Sequence, residues 1–149
     1  MLFLVFTLDG DRFALDVEQL VEVLPLVNLK PLANAQPGIA GLFDFHGLPI
    51  PALDLSALIV ARTALRRLST RIVVVNYPGK DDTRHPLGLI AEKATSMVRL
   101  DPGMFKDAGV DDGETQYLGP VARDATGLIQ WLVIPKLLPP SVRNVLFQN

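Results

Sequence analysis

Side chains that could act as nucleophiles, general bases or metal ligands are few in this 149-residue chain. It contains no cysteine, so thiol catalysis, disulfides and cysteine-based zinc sites are excluded. None of its four serines lies in a Gly-x-Ser-x-Gly turn, the local sequence that exposes a nucleophilic serine. Its two histidines, His46 and His85, are far apart and lack the spacing of a catalytic triad. We therefore predict no catalytic, cofactor-binding or metal-binding residues and no enzymatic activity.

Two glycine-containing turns resemble ligand-binding loops only in part. Gly79-Lys80 has neither the upstream glycine nor the downstream serine or threonine of a phosphate-binding loop. Asp9-Gly10-Asp11 could begin a calcium loop, but Phe13 and Leu15 follow where further oxygen ligands are required. Both segments are predicted to be solvated turns between strands.

Charge and composition exclude other classes of function. The 14 basic and 16 acidic residues give a net charge of -2, which disfavours nucleic-acid binding. The one basic cluster, between Arg62 and Arg71, has no interleaved aromatic residues for stacking on bases and is predicted to be a solvated connector. No apolar run approaches the roughly 18 residues of a transmembrane helix, so direct membrane insertion is not expected.

Short apolar runs separated by 11 glycines and 12 prolines predict an all-β protein. Helical turns are expected only near 16–20, 55–66 and 136–147, the first with Asp16 as N-cap, and an acidic loop is expected near 107–114. The predicted strands cover residues 2–8, 12–15, 21–24, 41–45, 48–53, 71–77, 87–91, 95–100, 119–123 and 128–134.

Two of these strands carry residues that point to particular positions in a sheet. Pro49 and Pro51 alternate along one strand and predict that it is an edge or bulged strand, since proline cannot donate to a ladder. Glu22 interrupts an apolar strand, and alternation predicts that it faces away from Val21 and Val23 and is exposed.

The second half of the chain repeats the first in outline, with the same order of strand, turn, strand, glycine, hairpin and helix. This predicts a single domain over 1–149, divided into subdomain 1 (about 1–58), a connector (about 59–70) and subdomain 2 (about 71–138), followed by a C-terminal helix (about 136–147). Units of this size bury too little surface to be stable alone, so we expect them to share one core.

The ordered set of strand sequences resembles the CheW family of chemotaxis coupling proteins over nearly the whole chain. The resemblance implies two five-stranded, SH3-like β-barrel subdomains around a shared hydrophobic core. It is carried by Phe3-Leu4-Val5-Phe6-Thr7-Leu8, Arg12-Phe13-Ala14-Leu15-Asp16, Val21-Glu22-Val23-Leu24, Gly47-Leu48-Pro49-Ile50-Pro51-x-Leu53-Asp54-Leu55, Ile72-Val73-Val74-Val75, Gly88-Leu89-Ile90 and Tyr117-Leu118-Gly119.

The resemblance also implies a function: a non-catalytic scaffold that joins chemoreceptor cytoplasmic tips to the regulatory domain of a CheA-type histidine kinase. Such a protein would be cytoplasmic and recruited to membrane receptor arrays, with no cofactor. The residues that match partner-facing positions of the family, together with the adjoining hairpin tip, are Leu20, Glu22, Gly41, His46, Gly47 and Met97.

This sequence departs from the usual family pattern at two places near these residues. His46 stands where an arginine usually precedes the glycine, and Pro25-Leu26 replaces the commoner Arg-Gly. These features are more similar to coupling proteins of alternative chemosensory arrays, such as the WspB type that feeds a diguanylate cyclase response.

Two other hypotheses remain open on the sequence alone. One is a small β-barrel that binds a ligand or an oligonucleotide in its mouth. The other is a regulatory module cut from a larger kinase, although a start at Met1 favours a free-standing protein.

Overall fold

A computed structural model describes residues 1–79, 82–107 and 115–147. The predicted turn that begins at Gly79 includes residues 80–81, and the predicted acidic loop near 107–114 includes residues 108–114. These residues lie outside the described ranges. The strands are β1 (Leu2–Leu8), β2 (Asp11–Asp16), β3 (Leu20–Pro25), β4 (Ile39–Phe45), β5 (Leu48–Asp54), β6 (Arg71–Pro78), β7 (Arg84–Ala91), β8 (Ser96–Arg99), β9 (Leu118–Asp124) and β10 (Gly127–Leu132), and the α-helices are α1 (Leu55–Val60) and α2 (Pro140–Leu146).

The strands form two five-stranded sheets, which confirms the all-β prediction. The first sheet has the order β8-β1-β2-β10-β9 and the second the order β3-β6-β7-β5-β4. Most neighbours are antiparallel, but β2 pairs with β10 and β5 with β7 in parallel. In the described part of the chain no strand pairing joins the end strands of either sheet, so the barrels implied by the resemblance are not closed by a continuous hydrogen-bonded ladder.

The internal repeat is present, but the repeated units are not the two sheets. Strands β1–β5 and β6–β10 follow the same connection order. Each unit gives its first two strands to one sheet and its last three to the other. The predicted division of subdomains at 59–70 therefore does not separate the sheets. The exchange arises because the 3-10 turn over Val17–Gln19, capped by Asp16 as predicted, carries the chain from β2 directly into the other sheet.

The core has three parts, and the largest is shared by both sheets. It combines residues such as Phe6 and Leu15 of the first sheet with Val73 and Leu89 of the second, all fully buried. A smaller cluster lies on the other side of each sheet. Alternation along β6 sends Val73 to the shared core and Ile72 to the cluster of the second sheet, so one strand stabilises both layers.

Helix α1 is shorter than the predicted span of 55–66. Asp54 caps it, since its Oδ1 accepts from the amides of Ser56 at 2.9 Å and Ala57 at 3.3 Å. The helix ends where Ala61 adopts a left-handed conformation, φ +58°. Beyond it, Asp54 Oδ2 accepts from the amide of Ala64 at 2.9 Å, so a carboxylate takes up a backbone donor that a longer helix would have used.

The predicted C-terminal helix over 136–147 is also wrong in extent. A 3-10 turn over Ile134–Lys136 is followed by a break, and α2 begins only at Pro140. Two successive prolines cause the break because neither can donate a backbone hydrogen bond. The Tyr77 hydroxyl fixes this segment by accepting from the amide of Leu138 at 2.8 Å and donating to a carbonyl of the 3-10 turn at 3.0 Å.

Candidate functional site

The β4–β5 hairpin ends in a tight turn made by His46 and Gly47. Both residues have positive φ, +51° and +86°, as a two-residue turn of type I′ requires. The Asp44 carboxylate accepts from the amide of Gly47 at 2.8 Å and fixes the turn. The hairpin is therefore confirmed, and its rigid tip displays an imidazole to solvent.

The two prolines of β5 lie in the middle of a sheet rather than on an edge strand. β5 pairs with β4 throughout, but with β7 only from Ala52 onward. Leu42, opposite Pro51, exchanges both of its backbone hydrogen bonds with Lys30 on the far side of β4. Pro51 and Pro49 thus occupy positions of β5 that need not donate a backbone hydrogen bond to β4. Because β7 pairs only from Ala52 onward, this first part of β5 is locally an edge, although the strand as a whole is not.

His46 contacts Glu22, another residue that the sequence placed on the partner face. The distance from His46 Nε2 to Glu22 Oε1 is 3.0 Å, so a histidine tautomer with its proton on Nε2 donates a hydrogen bond to the carboxylate. The side chains are 69% and 39% exposed. The imidazole also packs on Phe45, with ring centroids 4.6 Å apart. The contact therefore holds both polar groups in place while leaving them accessible.

A β-bulge changes which side chains of β3 face outward. Leu20 pairs with Val75 and Glu22 with Val74, so Val21 is an extra residue without a partner in β6. Val21 is 47% exposed, and its predicted grouping with Val23 on one face is wrong. Leu20 and Val23 instead pack together on the shared core. Val21 and Glu22 are thus two adjacent side chains of β3 that are both accessible to solvent.

We call Glu22, His46, Gly47 and Leu48 the hairpin-tip surface. Leu48, the first residue of β5, follows the turn that carries His46 and is 52% exposed. An exposed leucine next to hydrogen-bonded polar groups combines the apolar and polar contacts that protein–protein interfaces use.

Gly41 is not available to a partner, contrary to the prediction. It is buried in β4 with φ +152°, and a Cβ placed there would overlap the carbonyl group of Lys30. That carbonyl accepts from the amide of Leu42 at 2.8 Å. The glycine therefore allows close approach by this chain's own segment, which covers the outer edge of β4.

The remaining two predicted residues lie away from the hairpin tip. Leu20 is half-buried against the shared core. Met97 belongs to β8, the end strand of the first sheet, where it pairs with Leu4 and is 53% exposed. The six predicted residues thus divide into an accessible group on the second sheet, an accessible methionine on the first, and two core positions.

Sequence reasoning missed an ionic cluster at the junction of the two sheets. Arg62, predicted to be solvated, donates to Glu92 after β7 at 2.6 Å and to Asp9 in the β1–β2 turn at 2.8 Å. Glu92 is buried and also accepts from the hydroxyl of Ser56 at 2.8 Å and the amide of Leu65 at 2.9 Å. The sequence offered one indication of this cluster, because Glu92 is the only acidic residue between Asp82 and Asp101.

Glu92 is ionised in this environment. Burial by itself raises the pKa of a carboxyl group, but the hydrogen bonds from Arg62, the amide of Leu65 and the hydroxyl of Ser56 outweigh it and lower the pKa of Glu92 to about 2. The hydrogen bonds of Arg62 to Glu92 and Asp9 raise the pKa of the guanidinium group. The cluster has every acceptor satisfied and serves to join the sheets.

The described residues were compared with the requirements for metal binding and for membrane-spanning helices. They contain no group of three or more histidine and carboxylate side chains that could hold a metal ion. Of the helices that the structure describes, none has the length and apolar character needed to cross a membrane. Apolar side chains form a packed cluster within each sheet.

Comparisons with known proteins identify one family. The model of the CheW-like domain matches residues 2–140. A solved structure described as the scaffolding protein TtCheW from Thermoanaerobacter tengcongensis superposes with a TM-score of 0.80 at 19% identity, covering 95% of this chain and 89% of that one. At this identity the structural likeness establishes the fold. No curated protein matches the sequence.

Proposed function

This chain belongs to the CheW-like domain family, and on that basis we propose that it is a non-catalytic adaptor that couples chemoreceptors to a CheA-type histidine kinase in a chemosensory signalling array. The adaptor would be cytoplasmic and recruited to the array by its partners.

The hairpin-tip surface is the observation that carries this proposal. Glu22 on β3 and His46 in the β4–β5 turn meet at 3.0 Å, and Asp44 fixes the backbone of that turn. A surface that is ordered before binding loses little conformational entropy when a partner docks. Exposed Leu48 adds apolar area beside the polar pair.

An adaptor needs two separable surfaces, and the chain offers a second at Met97. This exposed side chain lies on the end strand of the first sheet, whereas the hairpin tip belongs to the second sheet. We propose that the two surfaces serve different partners, the kinase regulatory domain and the chemoreceptor cytoplasmic tip.

His46 supports the finer assignment to an alternative array of the WspB type. An imidazole is shorter than the guanidinium usual at this position, and here it is already paired with Glu22. It therefore presents a shorter-reaching polar contact than arginine and lacks the fixed charge of a guanidinium group, which favours a different partner surface.

The alternative of a barrel that binds a small ligand or oligonucleotide has no comparable support. The clusters within both sheets are packed with residues such as Phe3, Ile129, Phe43 and Ile72. No specific observation favours that function over the adaptor.

Titration calorimetry of the full chain tests the proposal, using the kinase regulatory domain and a receptor cytoplasmic fragment encoded in the same organism. Wild type should bind both. Glu22→Arg should weaken one complex and Met97→Asp the other, at least tenfold, whereas Glu18→Arg, an exposed position outside both surfaces, should change neither. Wild-type protein that binds neither partner would refute the adaptor function.

A further inference from the structure

A stretch of uncompensated positive charge lies on this otherwise acidic protein. From residue 55 to residue 80 the sequence has five basic residues and no aspartate or glutamate. Arg62 is engaged by Glu92 and Asp9. Within the described part of the chain, the guanidinium groups of Arg66, Arg67 and Arg71 form no ion pair. These cations are therefore free to attract an external anion.

The same segment exposes an apolar side chain almost completely. Leu68 is 98% exposed, the highest value among the large hydrophobic residues described as exposed, and Leu65 is 41% exposed. A leucine fully in water between arginines contributes nothing to the core. Such a residue is characteristic of a contact surface when it lies within a larger patch.

Hydrogen bonds hold this loop in one conformation. The Thr70 hydroxyl donates to the carbonyl of Leu65 at 2.5 Å, and the amide of Thr70 donates to the carbonyl of Arg67 at 3.0 Å. The carbonyl of Ser69 accepts from the amide of Ala94 at 3.1 Å. Leu68 is therefore presented from both sides by anchored backbone and does not need to be ordered when a partner binds.

A concave apolar site of about 210 Å³ adjoins the loop. Leu26, Leu29, Ala40 and Ile90 supply apolar walls, and exposed Arg66 contributes to its lining. Asp54 also lines it, but its carboxylate is taken up by backbone amides, including that of Ala64. The hollow can therefore hold one apolar side chain with a cation beside it.

We propose that this basic loop surface, formed by Leu65, Arg66, Arg67, Leu68 and Arg71 with the adjoining hollow, binds an acidic protein segment that carries an exposed apolar side chain. Carboxylates of the segment pair with the free guanidinium groups, and its apolar side chain enters the hollow while Leu68 packs alongside. Charge complementarity speeds the association of the segment and aligns it on the surface, and the apolar contacts supply most of the binding free energy.

A protein segment fits this surface better than a lipid headgroup layer. A bilayer offers anionic charge but no protruding apolar group that would enter a hollow, whereas a peptide offers both. The surface is also distinct from the hairpin tip, because Ala40 lies at the start of β4 and His46 follows its end. The inference therefore stands independently of the adaptor proposal.

The probe is a fluorescein-labelled glutamate-rich peptide with one central leucine, titrated with the full chain at low ionic strength. The expected result is saturable binding that weakens at least tenfold in the Arg66→Glu/Arg67→Glu variant and in Leu68→Ser. Matched controls are Arg99→Glu/Arg123→Glu, an equal charge change on the first sheet, and Leu128→Ser, a leucine that is 57% exposed on β10. A peptide with serine in place of leucine should also bind at least tenfold more weakly.

Two results would overturn the proposal. One is equal loss of binding in the loop variants and in the controls, which would show attraction to charge alone. The other is sedimentation with phosphatidylglycerol vesicles that depends on Leu68 and Arg67 while the peptide does not bind, which would assign the surface to a membrane. Thermal melts of each variant show whether it is folded. If the Arg66→Glu/Arg67→Glu variant does not fold, the proposal is tested by Leu68→Ser and by the peptide with serine in place of leucine, both of which should bind at least tenfold more weakly.

Discussion

Glu22 and His46 are joined by a 3.0 Å contact although their strands, β3 and β4, lie at opposite ends of the second sheet. The sheet must therefore curl until its two edges face each other, enclosing the cluster that contains Phe43 and Ile72. The segment after β3 completes the curl, since Lys30 exchanges two 2.8 Å hydrogen bonds with Leu42 on the free edge of β4. The hairpin-tip surface exists because the sheet is almost closed.

Reversing the charge of Glu22 is expected to weaken partner binding. Glu22→Arg places a cation beside His46 and removes the acceptor that fixes the imidazole. The free energy of binding to one partner should become less favourable by about 1 to 3 kcal/mol, the range for a damaging change at an interface. Titration calorimetry measures the loss. Since both side chains are exposed, the melting temperature should stay within a few degrees of wild type, and unchanged affinity in a folded variant would contradict the assignment.

Gly41→Val is expected to destabilise the fold. The valine would meet the Lys30 carbonyl and would have to adopt φ +152°. The two penalties together amount to about 2 to 4 kcal/mol in the free energy of unfolding. Denaturant unfolding is the measurement. Gly10→Val is the matched control, because Gly10 also has positive φ, +87°, but has no atom within 4 Å of a Cβ. Equal losses at the two sites would show that the contact with Lys30 is unimportant.

The stability of the protein should depend on pH through Glu92. Its pKa in the folded protein, about 2, lies below the ordinary value of 4.5. The stabilisation is therefore complete above pH 4.5 and is lost as the pH falls from there towards 2. Glu92→Gln should cost about 1 to 2 kcal/mol at neutral pH and should flatten the decline in acid. Urea unfolding at a series of pH values tests this.

The control for Glu92 is Glu18→Gln, a change of the same chemistry at an exposed position. It should leave the dependence of stability on pH as in wild type. An acid decline as steep in Glu92→Gln as in wild type would show that other carboxyl groups are responsible.

The protein should unfold in a single cooperative transition, and the first repeat should not fold alone. In a fragment of residues 1–70, β2 would lack β10 and β5 would lack β7, so both parallel pairings and most of the shared core would be missing. Circular dichroism and amide exchange of the fragment measure this. A stable fragment with native strand content would contradict the exchange of strands between the repeats.

Much of the local structure follows from the sequence by itself, because it depends on neighbours along the chain. Asp16 and Asp54 cap short helical segments since their carboxylates reach backbone amides two residues on. His46-Gly47 forms the hairpin turn, and the alternation of apolar residues defines most strands. The repeated order of strands and turns in the two halves of the chain could also be predicted, because it depends on local sequence patterns.

Only the tertiary structure determined which strands share a sheet and which residues meet. The repeats exchange strands because each unit can bury its apolar faces only against the other. A bulge at Val21, the covering of Gly41 by Lys30 and the contact of Arg62 with Glu92 all depend on segments distant in sequence. Sequence alternation predicts the two faces of a strand, whereas long-range burial decides what each face contacts. The sequence could therefore name candidate residues, but only the fold decided which of them are accessible.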